Sequence, residues 1–205
     1  MTALRLLHRA GALCIGSFVT LHLLNHLLAL QGPQAHIAFM RAARLVYRHG
    51  VLETLLLACV LFQLGSGIHF LRARWGQRSG ALDRLQAWSG AYLAFFLLVH
   101  VGAVMAGRLA GLDTNFHFAA AGLHIAPYYF FFVPYYFLAV LAIFAHLACA
   151  FHWLARARLG DAIRNAGVAV ILAAGALCAA LIVAAFAGAF GAVEIPPAYQ
   201  AVFKP

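Results

Sequence analysis

Apolar residues run almost unbroken through five stretches of the chain, and the polar residues crowd into the gaps between them. The stretches are roughly 9–30, 51–71, 87–107, 128–154 and 165–190. Each is close to the length of about 20 residues that an α-helix needs to cross a bilayer. Backbone in hydrocarbon must satisfy its own N–H and C=O groups, so the pattern predicts helices. The expected fold is all-α: one domain, an integral membrane bundle of five transmembrane helices. The last stretch (AVILAAGALCAALIVAAFAGAFGA) is rich in Gly and Ala, which suits close helix packing. The longest segments between spans are about 20 residues, 31–50 and 108–127. The second carries aromatics, His and Pro and reads as an interfacial stretch leading into the fourth span. No soluble domain is expected.

Composition agrees. Of 205 residues, 65% are apolar and only 9% are charged, and the mean hydropathy is +0.92. A soluble domain carries about 25% charged residues. The net charge of +9 does not point to nucleic acid, because the arginines fall in short clusters between apolar runs. With the N-terminus inside, the inner segments hold nine: Arg5, Arg9, Arg72, Arg74, Arg78, Arg84, Arg156, Arg158 and Arg164. The outer segments hold five: Arg41, Arg44, Arg48, Arg108 and Lys204. The positive-inside rule therefore predicts N-terminus inside and C-terminus outside, in a multi-pass protein of the cell inner (cytoplasmic) membrane. The chain opens with a basic flank before an apolar run, as a signal peptide does. That run continues to about Leu30, too long for a signal sequence, and is read as a span. Cys14, Cys59, Cys149 and Cys178 lie far apart inside apolar runs and read as small buried hydrophobes.

Histidines break the apolar runs. His22 and His26 sit four apart in VTLHLLNHLLAL, where a polar side chain needs a task or a partner. His22 lies about 13 residues from the inner end of span one, and His100 about 13 from the inner end of span three. At about 1.5 Å rise per residue, the two lie at one depth. Two imidazoles at one level on two helices are what a bis-histidine b-type haem requires, and a helical bundle offers the flat apolar slot. His146 lies ten residues before Arg156, and its depth partner on span two falls at Gln63 rather than at a His. That makes one complete pair and one half pair. His69 is on span two but nearer the inner surface. His26 is one turn from His22 on the same face and reads as structural support, an alternative ligand, or a propionate or quinone contact. Glu53 has two readings, an ion pair with Arg48 or proton transfer to a quinone site. His8, His49 and His152 read as interfacial. His36, His117 and His124 fall in outer segments with no zinc spacing. No nucleophile–base pair, phosphate loop or paired carboxylate is visible.

Four stretches carry a family resemblance: RLLHRAGALCIGSFVTLHLLNHLLALQG, VLETLLLACVLFQLGSGI, SGAYLAFFLLVH and YFLAVLAIFAHLACAFHW. In order and in histidine depth, the chain resembles the five-span cytochrome b membrane anchor subunit of succinate dehydrogenase and fumarate reductase (succinate:quinone oxidoreductase). The resemblance implies a haem cage with one ligand on each of spans one to four. His22, His100 and His146 match three of those positions; Gln63 or Leu64 stands at the fourth. The haem between His22 and His100 survives the comparison, and the inner haem is placed in question. The resemblance further implies one haem b, or two if span two supplies a ligand. It implies quinone as the redox substrate in the membrane, and flavoprotein and iron–sulfur subunits docked on the inner side. Arg72, Arg74, Arg78, Arg156 and Arg158 are candidates for that docking or for holding anionic lipid. The chain itself encodes no flavin or iron–sulfur site and would be the non-catalytic anchor. The rival readings are a stand-alone haem or quinone membrane protein and a haem-free structural subunit. A transporter would show internal repeats or broken polar spans, and apart from Pro134 little of that is present.

Overall fold

The computed structural model describes residues 3–77 and 80–203, without the side chain of Gln77. Arg78 and Lys204, both used in the topology argument, lie outside the described residues. Among the described residues every regular element is helical. Five helices are long and apolar enough to cross a membrane. They are α1 (Ala3–Leu27, continued as a tighter turn to Gln31), α3 (Gly50–Ala73), α4 (Ala81–Leu109), α6 (Tyr129–Leu154) and α7 (Asp161–Phe186). This is the architecture of a multi-pass membrane protein. The helices form a ring in which α1 packs on α3, α3 on α4, α4 on α6, α6 on α7, and α7 back on α1.

The contact between α6 and α7 is the most extensive. Its cause is visible in the small residues of the last span. A methyl group at Gly175 would overlap the Phe144 side chain, and one at Gly167 would overlap Phe151. Each glycine is a hole that an α6 phenylalanine fills, which lets the two backbones approach closely.

The segments between spans are more ordered than the sequence suggested. Residues 33–47 form α2 (Pro33–Tyr47) and residues 116–124 form α5 (Phe116–His124). Gly32 adopts φ 105°, a conformation open to glycine, and turns the chain so that Pro33 starts α2 at its first helical position. Asn115 caps α5, its side-chain oxygen accepting from the His117 N–H at 2.9 Å. After α7 the chain turns at Gly188 and ends in the short α8 (Pro197–Gln200). The Tyr199 hydroxyl there donates to the Asp113 carbonyl at 3.0 Å. Helices α2, α5 and α8 close one end of the bundle over a core of Ile37, Phe116, Ala120, Leu123, Phe186 and Ile195. Among the described residues, the other end carries the single turns Trp75–Gln77 and Ala155–Ala157. Arg72, Arg74, Arg156 and Arg158 are all exposed there.

The glycine holes predict an asymmetry. Gly175→Ala should destabilise by about 1–3 kcal/mol, because the atom it meets is the Phe144 Cβ, which no side-chain rotation can move away. Gly65→Ala on α3 meets nothing within 4 Å, so it should be neutral or mildly stabilising. Thermal unfolding of both variants in one detergent checks this, and equal melting temperatures would contradict it.

Candidate functional site: an imidazole-lined cavity

The ring encloses a cavity of about 1540 Å³. Small-molecule sites commonly occupy about 300–1,000 Å³, so this space holds more than one ordinary ligand. Its walls come from all five spans, with α2 and α5 at the capped end, and it runs from there, at Arg44 and Arg48, to the open end, at Arg5 and Arg74.

His22 and His100 face each other in this cavity, with ring centroids 5.9 Å apart and planes inclined at 67°. Each ring is stacked on the phenylalanine one turn earlier on its own helix. Phe18 backs His22 at 5.5 Å and Phe96 backs His100 at 5.0 Å. The repeated Phe-x-x-x-His spacing thus presents two imidazoles from opposite walls in fixed planes. Two imidazoles binding one iron through nitrogens about 2 Å away on either side have centroids about 6 Å apart. The donor type, the separation and the apolar walls therefore fit a haem. Among the described residues no group of three or more His, Cys, Asp or Glu side chains is placed to hold a metal ion. Axial ligation of a haem asks for two.

His26 does not stand alone beside His22. Its Nε2 lies 3.0 Å from His22 Nε2, and its Nδ1 lies 3.1 Å from His36 Nε2. The Asn25 Nδ2 amide nitrogen lies 3.2 Å from the same His36 nitrogen. An imidazole nitrogen either donates its one proton or accepts at its one lone pair, so the three rings are coupled: the tautomer of His36 sets that of His26, and His26 sets that of His22. His36 was expected in an outer loop; it is instead 2% exposed, inside α2, between the rings of Phe116 and Phe186. Burial holds its imidazole well below the usual value, to about 4, and the nearby Arg44 and His117 add to the effect.

In the half of the cavity toward the open end, Gln63, the residue counted to the depth of His146, is bonded to His8: its Nε2 donates to His8 Nε2 at 3.0 Å. His8 Nδ1 lies 2.7 Å from Ser66 Oγ, which in turn donates to the Phe62 carbonyl at 2.6 Å. His8, expected at the interface, is thus part of the cavity wall. His146 also lines the cavity, with Nδ1 held 3.2 Å from Ser89 Oγ of α4 and its ring against Gly90. His69 is exposed, rests on Phe70, and does not line the cavity. Glu53 lines the cavity near the capped end, but its partner is Arg108 of α4 and not Arg48. Arg48 donates to Thr114 Oγ1 at 2.9 Å, and Arg44 pairs with Asp113 at 2.6 Å.

Compared with known proteins, the chain matches no family model, no curated protein and no solved structure.

The buried His36 makes stability depend on pH. Its folded pKa of about 4 lies below the ordinary value near 6.5, so the unfolded chain binds the proton more readily. The neutral-ring contribution is complete above pH 6.5 and falls away between 6.5 and 4, a loss of about 3 kcal/mol. Melting temperature measured across this window should drop in the wild type and drop less in His36→Gln. Parallel curves would contradict the assignment.

Proposed function

We propose that the chain is a haem b-containing membrane anchor and electron-transfer subunit of a succinate dehydrogenase/fumarate reductase-type complex, passing electrons to or from quinone. The observation that carries this reading is the His22–His100 pair facing across an apolar cavity at 5.9 Å. Bound haem b would supply a one-electron redox centre at the middle of the bundle. His22 and His100 would hold its iron, with Phe18 and Phe96 fixing the planes of the two rings. Arg44 and Arg48, on the same cavity wall, offer cations for its carboxylates. His26 supports His22 from one turn away, and His146 is a contact for quinone.

In this reading the N-terminus is inside, so the open end of the bundle faces the inner side of the cytoplasmic membrane. The exposed Arg72, Arg74, Arg156 and Arg158 then meet the flavoprotein and iron–sulfur partners that deliver or receive electrons. A second reading is favoured by one contact. His22 Nε2 already lies 3.0 Å from His26, and iron at that nitrogen would displace His26. In a haem-free structural subunit the contact would simply persist.

The spectrum separates the two. The protein purified in mild detergent should show a reduced-minus-oxidised b-type difference band and about one haem per chain by pyridine haemochrome. His22→Ala and His100→Ala should each lose it. Protein made with ample haem supply and still colourless would overturn the cytochrome reading.

A further inference from the structure

We infer that Cys14 and Cys59 form a hydrogen-donor pair on the lipid side of the α1–α3 seam, which lipid peroxyl radicals oxidise to a disulfide joining the two helices. This goes beyond the proposed function and does not depend on haem. The first support is register. Helices α1 and α3 run antiparallel, so residue numbers rise along one as they fall along the other. His8 Nδ1 lies 2.7 Å from Ser66 Oγ, and a methyl group at Gly11 would lie 3.2 Å from the Gln63 amide. One further turn along the seam sets Cys14 against Cys59. There the two thiols are in hydrogen-bonding contact. Both are free cysteines. Thiols already in contact on packed helices have little distance to close to the S–S length of about 2.05 Å.

The second support is position. Helix α1 starts at Ala3 and α3 at Gly50, so both sulfurs lie about 14–17 Å along their helices at about 1.5 Å per residue. That is near the middle of a hydrocarbon layer about 30 Å thick. Both cysteines are half-buried. Their neighbours Leu13 and Leu61 are 77% and 69% exposed on the surface of the bundle. The cavity is lined by Ile15 and Val60 beside them but by neither cysteine. The pair therefore faces acyl chains and not the enclosed space.

The third support is chemical. Ordinary thiol oxidation and exchange run through the thiolate, and hydrocarbon opposes forming that charge. Transfer of a hydrogen atom creates no ion, so it is the route open to a thiol at this depth. Each of two lipid peroxyl radicals takes one hydrogen atom: an S–H bond breaks, an O–H bond forms, and the radical becomes a lipid hydroperoxide. The two sulfur radicals left behind couple into one S–S bond. Two sulfurs are oxidised and two peroxyl groups reduced, with no charge and no radical remaining. A single thiol would be left as a radical, whereas a pair in contact ends the chain. The bond formed ties α1 to α3 one step beyond the His8–Gln63 contact and closes a loop that contains α2.

The test uses wild-type protein in liposomes of unsaturated phosphatidylcholine, oxidised either by a lipid-soluble azo initiator or by hydrogen peroxide in the water phase. With the initiator, free thiols counted after denaturation should fall from four to two. Mass spectrometry of the non-reduced digest should show a Cys14–Cys59 linked peptide. Hydrogen peroxide should give about tenfold less of it, because the thiolate is missing. Cys178→Ala should keep the link, and Cys14→Ala and Cys59→Ala should each lose it. A wild type that forms no Cys14–Cys59 peptide with the initiator overturns the inference. Disulfides between molecules in place of the internal one do the same, as does equal linkage by hydrogen peroxide.

Discussion

Everything distinctive in this bundle depends on keeping imidazoles and amides inside hydrocarbon. A polar group moved there without a partner costs on the order of 1–3 kcal/mol or more, and the bilayer offers no water to replace it. The protein answers by pairing such groups with one another. His26 bridges His22 and His36, Asn25 supports His36, Ser66 and Gln63 hold His8, and Ser89 holds His146. These contacts tie α1 to α2, α1 to α3, and α4 to α6, pairs in which apolar packing is sparser than between α6 and α7. Polar bonds therefore position the walls around the cavity, and close packing positions the wall behind it.

That division of labour follows the sequence. Span five is built from Ala, Gly and Val, so α7 can accept the phenylalanines of α6 as knobs. Helices α1 and α4 carry Leu, Phe and His instead, and few of their residues are buried. Large side chains hold the backbones apart, and the space they leave is mostly apolar, with histidines, Gln63 and, toward its ends, charged residues pointing in.

Much of this was legible in the sequence, and the limits are physical. Five apolar runs gave the five long helices, because hydrocarbon thickness constrains length more tightly than any local propensity. Counting residues from the span ends set His22 and His100 at one depth, and the structure brings their ring centroids to 5.9 Å. The same counting set Gln63 at the depth of His146 but did not reveal its partner, which the structure shows to be His8 of α1. Depth along one helix does not report its tilt or rotation, and those are set by packing. His36 was missed for a different reason. Residues 31–50 were treated as a connection, so the helical period that puts His36, Ile37 and Met40 on one buried face was not applied. The Gly32–Pro33 pair was the available signal, a glycine turn followed by proline at a helix start.

The capped end gives His22 its particular character. His22 Nε2 meets another imidazole, that of His26, and His26 meets a third, that of His36, which α2 carries beside Asn25 of α1. The orientation of the ring in the middle of the bundle is thus coupled to the folding of a segment outside it. If α2 loosens, His36 loses its buried setting, His26 loses its Nδ1 partner, and Phe18 alone is left to set the plane of His22 with His26. The cap is therefore more than a cover over the core, because the proton order of the central imidazoles is decided there.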